Sequence, residues 1–266
     1  MLADITPVIL TLNEAANVGR SLERLAWAGR VVVVDSGSTD ETLTIAGRFP
    51  NVHIAHRPFD THAQQWNFAI HETGITTEWV LRLDCDFLVE PALRDEVAAL
   101  KPRPESPGAY KISFTYCMNG TPLRASLYPS LPVLFRRALG HFEQDGHTEK
   151  LRISGPVEKL ANHLLHDDRK GLDRWLHSQF RYQAQEADKL ATRPWRELSW
   201  INRLRRTRVL GPPAIAFHCL FVKGLVFDGS AGLLYTAERV TADLILSMQL
   251  LRRDLVRPGA NENPPA

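Results

Sequence analysis

Four consecutive valines, Val31 to Val34, run straight into Asp35. A strand with no polar alternation has both faces covered, which is the texture of a central strand in a parallel sheet. Pro7–Thr11, Val52–Ala55 and the segment opening at Trp79, with Val80, Leu81 and Leu83, have a similar strand-like texture. Between them the apolar spacing turns helical: Val18, Leu22 and Leu25, then Leu43 and Ala46, then Trp66, Ala69 and Ile70 within 62–72. Strand alternating with helix predicts βαβ units and a parallel sheet. Asn13 is the expected cap of the first helix, and the capping-box spacing of Ser38 and Glu41 predicts the start of the second. Pro91 opens a further helix carrying Leu93, Val97 and Leu100.

The proline- and charge-rich stretch 101–108 breaks this rhythm. Beyond it Ile112, Phe114 and Tyr116 alternate with Lys111, Ser113 and Thr115, a strand with one wet face, and Leu131–Phe135, Glu149–Ile153 and His163–His166 add short strand-like pieces. A mixed, partly antiparallel continuation of the sheet is expected to about residue 166. From Asp173 the chain reads as helical to about Pro194. A last helix is expected from Gly232 to about Leu255, with Leu233, Val240, Leu244 and Met248 on one side. The expected divisions are 1–104, 105–168, 169–258 as a helical extension, and a disordered tail at 259–266.

In 266 residues, 44% of them hydrophobic, one large α/β domain or one domain with an appended subdomain can be built. A net charge of +2 gives no argument for nucleic acid, and three scattered cysteines give neither a disulfide framework nor a zinc pattern. No basic leader precedes the first strand, and no apolar stretch reaches the ~18 residues of a membrane span. The expected compartment is the cytoplasm. One segment departs from the average: 193–208 holds six arginines and two tryptophans against one glutamate, followed by the apolar 212–227. Segment 193–227 fits an anionic interface on the inner face of the cell membrane. It equally fits a solvated basic helix or a dimer surface.

Chemistry concentrates after the Trp79 strand, where Asp84 and Asp86 stand one residue apart. Ligands of open α/β sheets sit beyond the carboxyl ends of the strands. Paired carboxylates there suit Mg²⁺ or Mn²⁺, with phosphate oxygens filling the remaining positions. A solvated acidic turn would have the same spacing.

Thr11–Glu14 (TLNE), 31–42 (VVVVDSGSTDET), 65–69 (QWNFA) and 82–91 (LRLDCDFLVEP) occur in an order that resembles family 2 glycosyltransferases of the GT-A fold, similar to the bacterial β-glucosyltransferases of lipopolysaccharide core synthesis. The likeness covers 6–100 well, 128–166 in patches and 218–250 weakly. It implies a mixed, mainly parallel sheet flanked by helices, with residues 1–104 binding a nucleotide-sugar and 105–168 forming the acceptor side. Thr11, Asn13, Glu14, Asp35, Ser36, Ser38, Gln65, Asn67 and Asp84 would then line the donor site, Asp35 accepting from the base. Asp86 would hold the divalent cation, with Asp84 beside it and His166 as a further metal or phosphate contact. Glu149 stands six residues before Gly155, the spacing the family's general base keeps from a strand-closing glycine. The family's histidine immediately precedes that glutamate, whereas here Thr148 intervenes, so Asp145 and His147 remain alternatives. Two further departures are Phe87, where relatives often carry another acid, and a short 127–137 segment in place of a tryptophan-tyrosine-proline acceptor pattern.

One base and one metal imply a single displacement with inversion at the anomeric carbon. The expected function is transfer from a nucleotide-sugar, a UDP-sugar by resemblance, to a glycan or glycolipid hydroxyl in cell-surface polysaccharide or lipopolysaccharide synthesis. The alternatives are a sugar-phosphate nucleotidyltransferase, disfavoured by the lack of a Gly-rich loop near Asn13, and a catalytically silent nucleotide-binding scaffold at the membrane surface.

Overall fold

Segment 5–56 folds as its pattern demands: β1 (Ile5–Thr11), α1 (Val18–Glu23), β2 (Val31–Asp35), α2 (Thr42–Ala46) and β3 (Val52–His56). The computed structural model describes residues 1–103, 105–145 and 148–256, with nothing stated of the Thr148 side chain. The chain divides into two compact units, one ending at Lys170 and one beginning at Gly171. The first unit continues with α3 (His62–His71), β4 (Trp79–Asp84), β5 (Phe87–Val89), α4 (Pro91–Ala99), β6 (Ala109–Met118), β7 (Thr121–Pro122), β8 (Leu131–Arg136), β9 (Gly140–Asp145), β10 (Thr148–Ile153) and β11 (Val157–His166).

The main sheet has the order β3-β2-β1-β4-β8-β6-β11-β5, with β7 appended to β6. The pairings β2/β3, β1/β2, β1/β4 and β6/β11 are parallel, while β4/β8, β6/β8 and β5/β11 are antiparallel. This is the mixed, mainly parallel α/β sheet expected from the sequence. Strand order reverses at β1, which has β2 on one side and β4 on the other. The carboxyl ends of those three strands therefore border a topological switch point, where open α/β sheets bind ligands.

Alternate residues of each strand feed separate cores. Ile5, Ile9, Val31, Val33, Leu81 and Leu83 pack with Val18 and Leu22 of α1, Ala46 of α2, and Leu93 and Val97 of α4. Val8, Val32, Val34 and Val80 pack with Trp66, Ala69 and Ile70 of α3 and Phe142 of β9. Val31 to Val34 are all 0% exposed, each contributing roughly 1.5–3 kcal/mol of burial.

Four local expectations need correction. Asn13 does not cap α1: the helix begins at Val18 with Asn17 at its N-cap, and Asn13 adopts a left-handed φ of 57°. Ser38 and Glu41 form no capping box; α2 starts at Thr42, and the Ser38 hydroxyl is engaged with Asp35 instead. Three short strands, β5, β7 and β9, lie outside the expected set. Residues 140–145 (GHFEQD) are polar and lack strand alternation, but they pair with β10 as a separate ribbon, and Phe142 stacks on Trp66 at 5.5 Å. The fourth concerns the second unit.

That unit contains α5 (Leu172–Thr192), α6 (Trp200–Arg205), α7 (Gly211–Phe217) and α8 (Gly229–Leu255). Its core includes Ala187, Leu190, Leu198, Leu246 and Leu250. The stripe expected on one side of α8 faces outward: Leu233, Leu244 and Met248 are exposed, while Tyr235, Ala242, Ile245, Leu246 and Leu250 are buried. Gly232 explains part of this choice, because an added Cβ would fall 2.0 Å from the Leu225 carbonyl oxygen, so that side must face inward. Residues 257–266, including the expected tail, lie outside the described residues.

Candidate active site

Two carboxylate sites occupy the ends of the strands beside β1. Thr11 is in register with Asp35 on one side, and Leu10 with Asp84 on the other. Two strand spacings separate them, about 10 Å.

Asp35 is 1% exposed and serves four donors. Its Oδ2 accepts from the backbone N–H groups of Gly37 and Ser38, both at 2.9 Å, and its Oδ1 from the hydroxyls of Ser38 at 2.5 Å and Thr11 at 3.0 Å. Burial alone would raise this carboxyl, but the donors hold it below the usual carboxylate range. Gly37 is needed here, because the turn bends back through a φ of 98°. Asn13 fixes the other side of the turn: its N–H donates to Ser38 Oγ at 2.8 Å and its Oδ1 accepts from the Thr39 N–H at 2.7 Å. Ser36 Oγ accepts from Gln65 Nε2 at 2.8 Å. Gln65 itself is fully buried, with a second bond to the Arg57 carbonyl. Asn67 makes a two-way amide pair with the Phe142 backbone, both bonds 3.0 Å, which ties α3 to β9. Thr11, Asn13, Asp35, Ser36, Ser38 and Gln65 therefore form one connected bonding network, while Asn67 braces its flank.

The second site is built differently. Arg82, Asp84 and Val80 share one face of β4 by strand alternation. Arg82 is 6% exposed, with its guanidinium 4.8 Å over Trp66 and 5.2 Å over Phe142, and it ion-pairs with Glu149 of β10. Asp84 is raised to about 7 by burial, eased by Arg82 and reinforced by the charges of Asp86 and Glu149. Asp86 is held below its usual value against burial, chiefly by His166. Its Oδ2 lies 3.3 Å from His166 Nε2, while its Oδ1 is buried with no hydrogen-bond partner among the described residues. The His166 ring is packed by Tyr116 at 4.4 Å, Tyr128 at 4.7 Å and Phe87 at 5.1 Å, and its Nδ1 is likewise buried without a partner. Burial drives the Tyr128 phenol strongly upward.

Glu149 is thus within the electrostatic reach of Asp84. Asp145 ends β9 opposite Thr148, toward the tip of the ribbon. His147 lies outside the described residues. Among the described residues, no three His, Cys, Asp or Glu side chains are arranged to hold a metal. The donor set still fits a Mg²⁺ or Mn²⁺ ion held by one or two carboxylates with substrate phosphates completing its shell. The unpartnered Asp86 Oδ1 is the atom with spare acceptor capacity. His166 is engaged with Asp86 and is not part of a three-ligand cage.

Beside this site, the segment after β11 is bound to the loop after β1. Lys170 Nζ meets Glu14 Oε1 at 2.8 Å, Asn17 Nδ2 donates to Asp168 Oδ1 at 2.8 Å, and Arg20 ion-pairs with Asp167. Burial raises the Glu14 carboxyl, with Lys170 opposing it. The Lys170 ammonium is held strongly protonated against burial by Glu14, Asp86 and Asp168. Sequence reasoning missed Arg82 and Lys170. A charged residue inside the apolar run WVLRLD was the available signal for Arg82; for Lys170 it was a dense charge cluster closing a strand.

The profile described as glycosyl transferase family 2 matches residues 6–113. An uncharacterized glycosyltransferase of Rickettsia bellii is 35% identical over 94 residues, covering 35% of this chain and 31% of its own. The lipopolysaccharide core biosynthesis glycosyltransferase LpsC of Rhizobium meliloti is 30% identical over 95 residues, 34% of each chain. The alignments thus span about a third of the length of these curated relatives. Among solved structures, S. aureus TarS 1–349 in complex with UDP aligns over 95% of this chain and 92% of its own, at 14% identity and a TM-score of 0.47.

Proposed function

We propose, from the match of residues 6–113 to the profile of glycosyl transferase family 2, that this chain is a glycosyltransferase of that family and moves a sugar from a nucleotide-sugar, a UDP-sugar by resemblance, to a hydroxyl of a cell-surface glycan or glycolipid, with inversion and with a divalent cation. The observation that carries the reading is the aspartate pair at the end of β4. It lies beside the switch point, with spare acceptor capacity on Asp86 and with Glu149 in electrostatic reach. The similarity to LpsC, named for lipopolysaccharide core biosynthesis, supports a surface-glycan acceptor. The same reading puts the protein on the inner face of the cell membrane.

In this mechanism Asp86, with Asp84 beside it, would hold Mg²⁺ or Mn²⁺, which when bound neutralises charge growing on the departing diphosphate. Lys170, fixed by Glu14, adds a permanent positive charge near Asp86. The network around Asp35 shapes the loop walls that receive the nucleoside. Because the four donors already engage Asp35, its contribution is chiefly to hold Ser38, Gly37 and Thr11 in place. Glu149 takes the proton of the attacking hydroxyl at one carboxylate oxygen while Arg82 holds its Oε1. A positioned base of this kind contributes typically ~10²–10⁴-fold. No second carboxylate is assigned as nucleophile, so one displacement inverts the anomeric centre.

The test is product analysis with Mn²⁺ present. UDP release from a UDP-sugar, with a β-linked product from an α-linked donor, is the expected result. Pyrophosphate release from a nucleoside triphosphate, or retention of configuration, would overturn it.

A further inference from the structure

The helical unit from Gly171 onward leaves an unusual amount of apolar surface uncovered. Trp200 is 72% exposed, Phe227 74%, Phe221 63% and Phe217 61%. Scattered exposed leucines need no explanation, but large exposed rings in successive helices and turns, with Phe217 and Phe221 5.3 Å apart, mark an interaction surface. The arginines beside them sort into two groups. Arg205 and Arg208 are neutralised by Asp243 at 2.7 Å and Asp254 at 2.8 Å. Arg203 instead donates to the carbonyls of Trp195 and Arg196, and Arg206 to that of Arg193, at 2.9–3.1 Å. Carbonyls orient a guanidinium without cancelling its charge. The Arg206 guanidinium also lies 5.8 Å from the Trp195 ring, so Arg193, Trp195, Arg196, Arg203 and Arg206 make one local patch.

We propose that this unit docks on an anionic lipid surface, with the arginine patch against the phosphates and Trp195, Trp200 and the exposed phenylalanines in the interfacial layer. Arginine beside tryptophan is the composition that a headgroup region rewards, one providing charge attraction and the other an amphipathic ring. No single helix among the described residues is long and apolar enough to cross a bilayer. The pair Gly211–Val222 and Leu225–Leu255 reaches that hydropathy only jointly and is bent by 72°. A bent pair whose longer arm carries Glu238, Arg239, Asp243 and Arg252 suits lying in the interface rather than spanning it. A two-fold contact with a second copy through this patch would set its arginines against themselves. A nucleic acid would leave Leu244 and Met248, both exposed, without apolar cover. The proposal rests on the membrane-surface location given above but not on the transfer chemistry.

The experiment is flotation of the full chain with phosphatidylcholine vesicles, with and without phosphatidylglycerol, at low and high salt, beside Arg196→Gln, Trp200→Ser and Phe221→Ser. Binding is expected only with the anionic lipid and is expected to weaken with salt. Arg196→Gln should lower partitioning about five-fold, and each aromatic substitution should lower it further, with thermal unfolding unchanged. UDP release toward a soluble acceptor, measured without vesicles, should stay at the wild-type level in all three. Absence of binding at low salt, or equal partitioning of all variants, would overturn the proposal. So would a dimer by light scattering that the same substitutions dissolve. In the wild type, absence of vesicle binding with normal UDP release would sink only this inference, and vesicle binding without UDP release only the transferase reading.

Discussion

Asp35 and the Asp84–Asp86 pair stand at strand ends flanking the same β1, yet their surroundings are opposite. Asp35 is surrounded by donors and held below the usual carboxylate range. The pair is short of donors: burial raises Asp84 to about 7, and Asp86 keeps an unpartnered buried oxygen. Native structures satisfy nearly all buried polar groups, so an exception asks for a reason. A saturated carboxylate organises a loop, and a starved one is ready to bind. Under the proposed function the same acid type serves architecture on one side of β1 and chemistry on the other.

The contrast breaks most visibly through Asp86→Asn, where a loss of transfer of about a thousand-fold is expected from losing cation-assisted charge stabilisation. Some thermal stability should be lost as well, since the charge facing His166 and Lys170 is removed; kinetics and melting curves on one preparation check both. Glu149→Gln should retain donor binding while transfer falls roughly 10²–10⁴-fold, read as kcat against a calorimetric Kd. Arg82→Met should act through stability, because it leaves Glu149 buried without its partner; about 3–5 kcal/mol is expected from denaturant titration. Asp35→Ala should cost about 1–3 kcal/mol by orphaning the donors of its turn.

The smallest effect is in pH. The native Asp35 carboxyl holds its proton less tightly than the unfolded chain does. Its stabilisation is therefore complete above the ordinary carboxylate pKa of about 4 and is lost as pH falls through the lower native value. The melting difference between wild type and Asp35→Asn should narrow steadily toward acid. A constant difference would mean that the carboxylate charge is not what secures the turn.

Much of this arrangement was legible before any coordinates. The valine run, the helical spacing of Trp66, Ala69 and Ile70, and the strand before Asp84 give the parallel half of the sheet, because full burial leaves a periodic mark. Long-range polar partnership leaves none. Asn13 reads as a helix cap but spends its amide oxygen on the backbone of the turn 26 positions on, at Thr39. Gln65 and Asn67 are expected by resemblance to line the donor site, and nothing local shows that one is fully buried and the other pairs with Phe142. The ribbon strand β9 escaped because its backbone is held by Asn67 and β10 rather than by its own alternation. On α8 the apolar stripe was legible but its outward direction was not, since leucines at helical spacing do not say what covers them.

The most direct measurement is calorimetric titration of UDP into the wild type and Asp86→Asn, each with and without Mn²⁺. Cation-assisted binding at the starved pair requires Mn²⁺ to tighten UDP binding at least about ten-fold in the wild type, or about 1.4 kcal/mol, and to do nothing in the variant. Equal UDP affinity in all four titrations would contradict it.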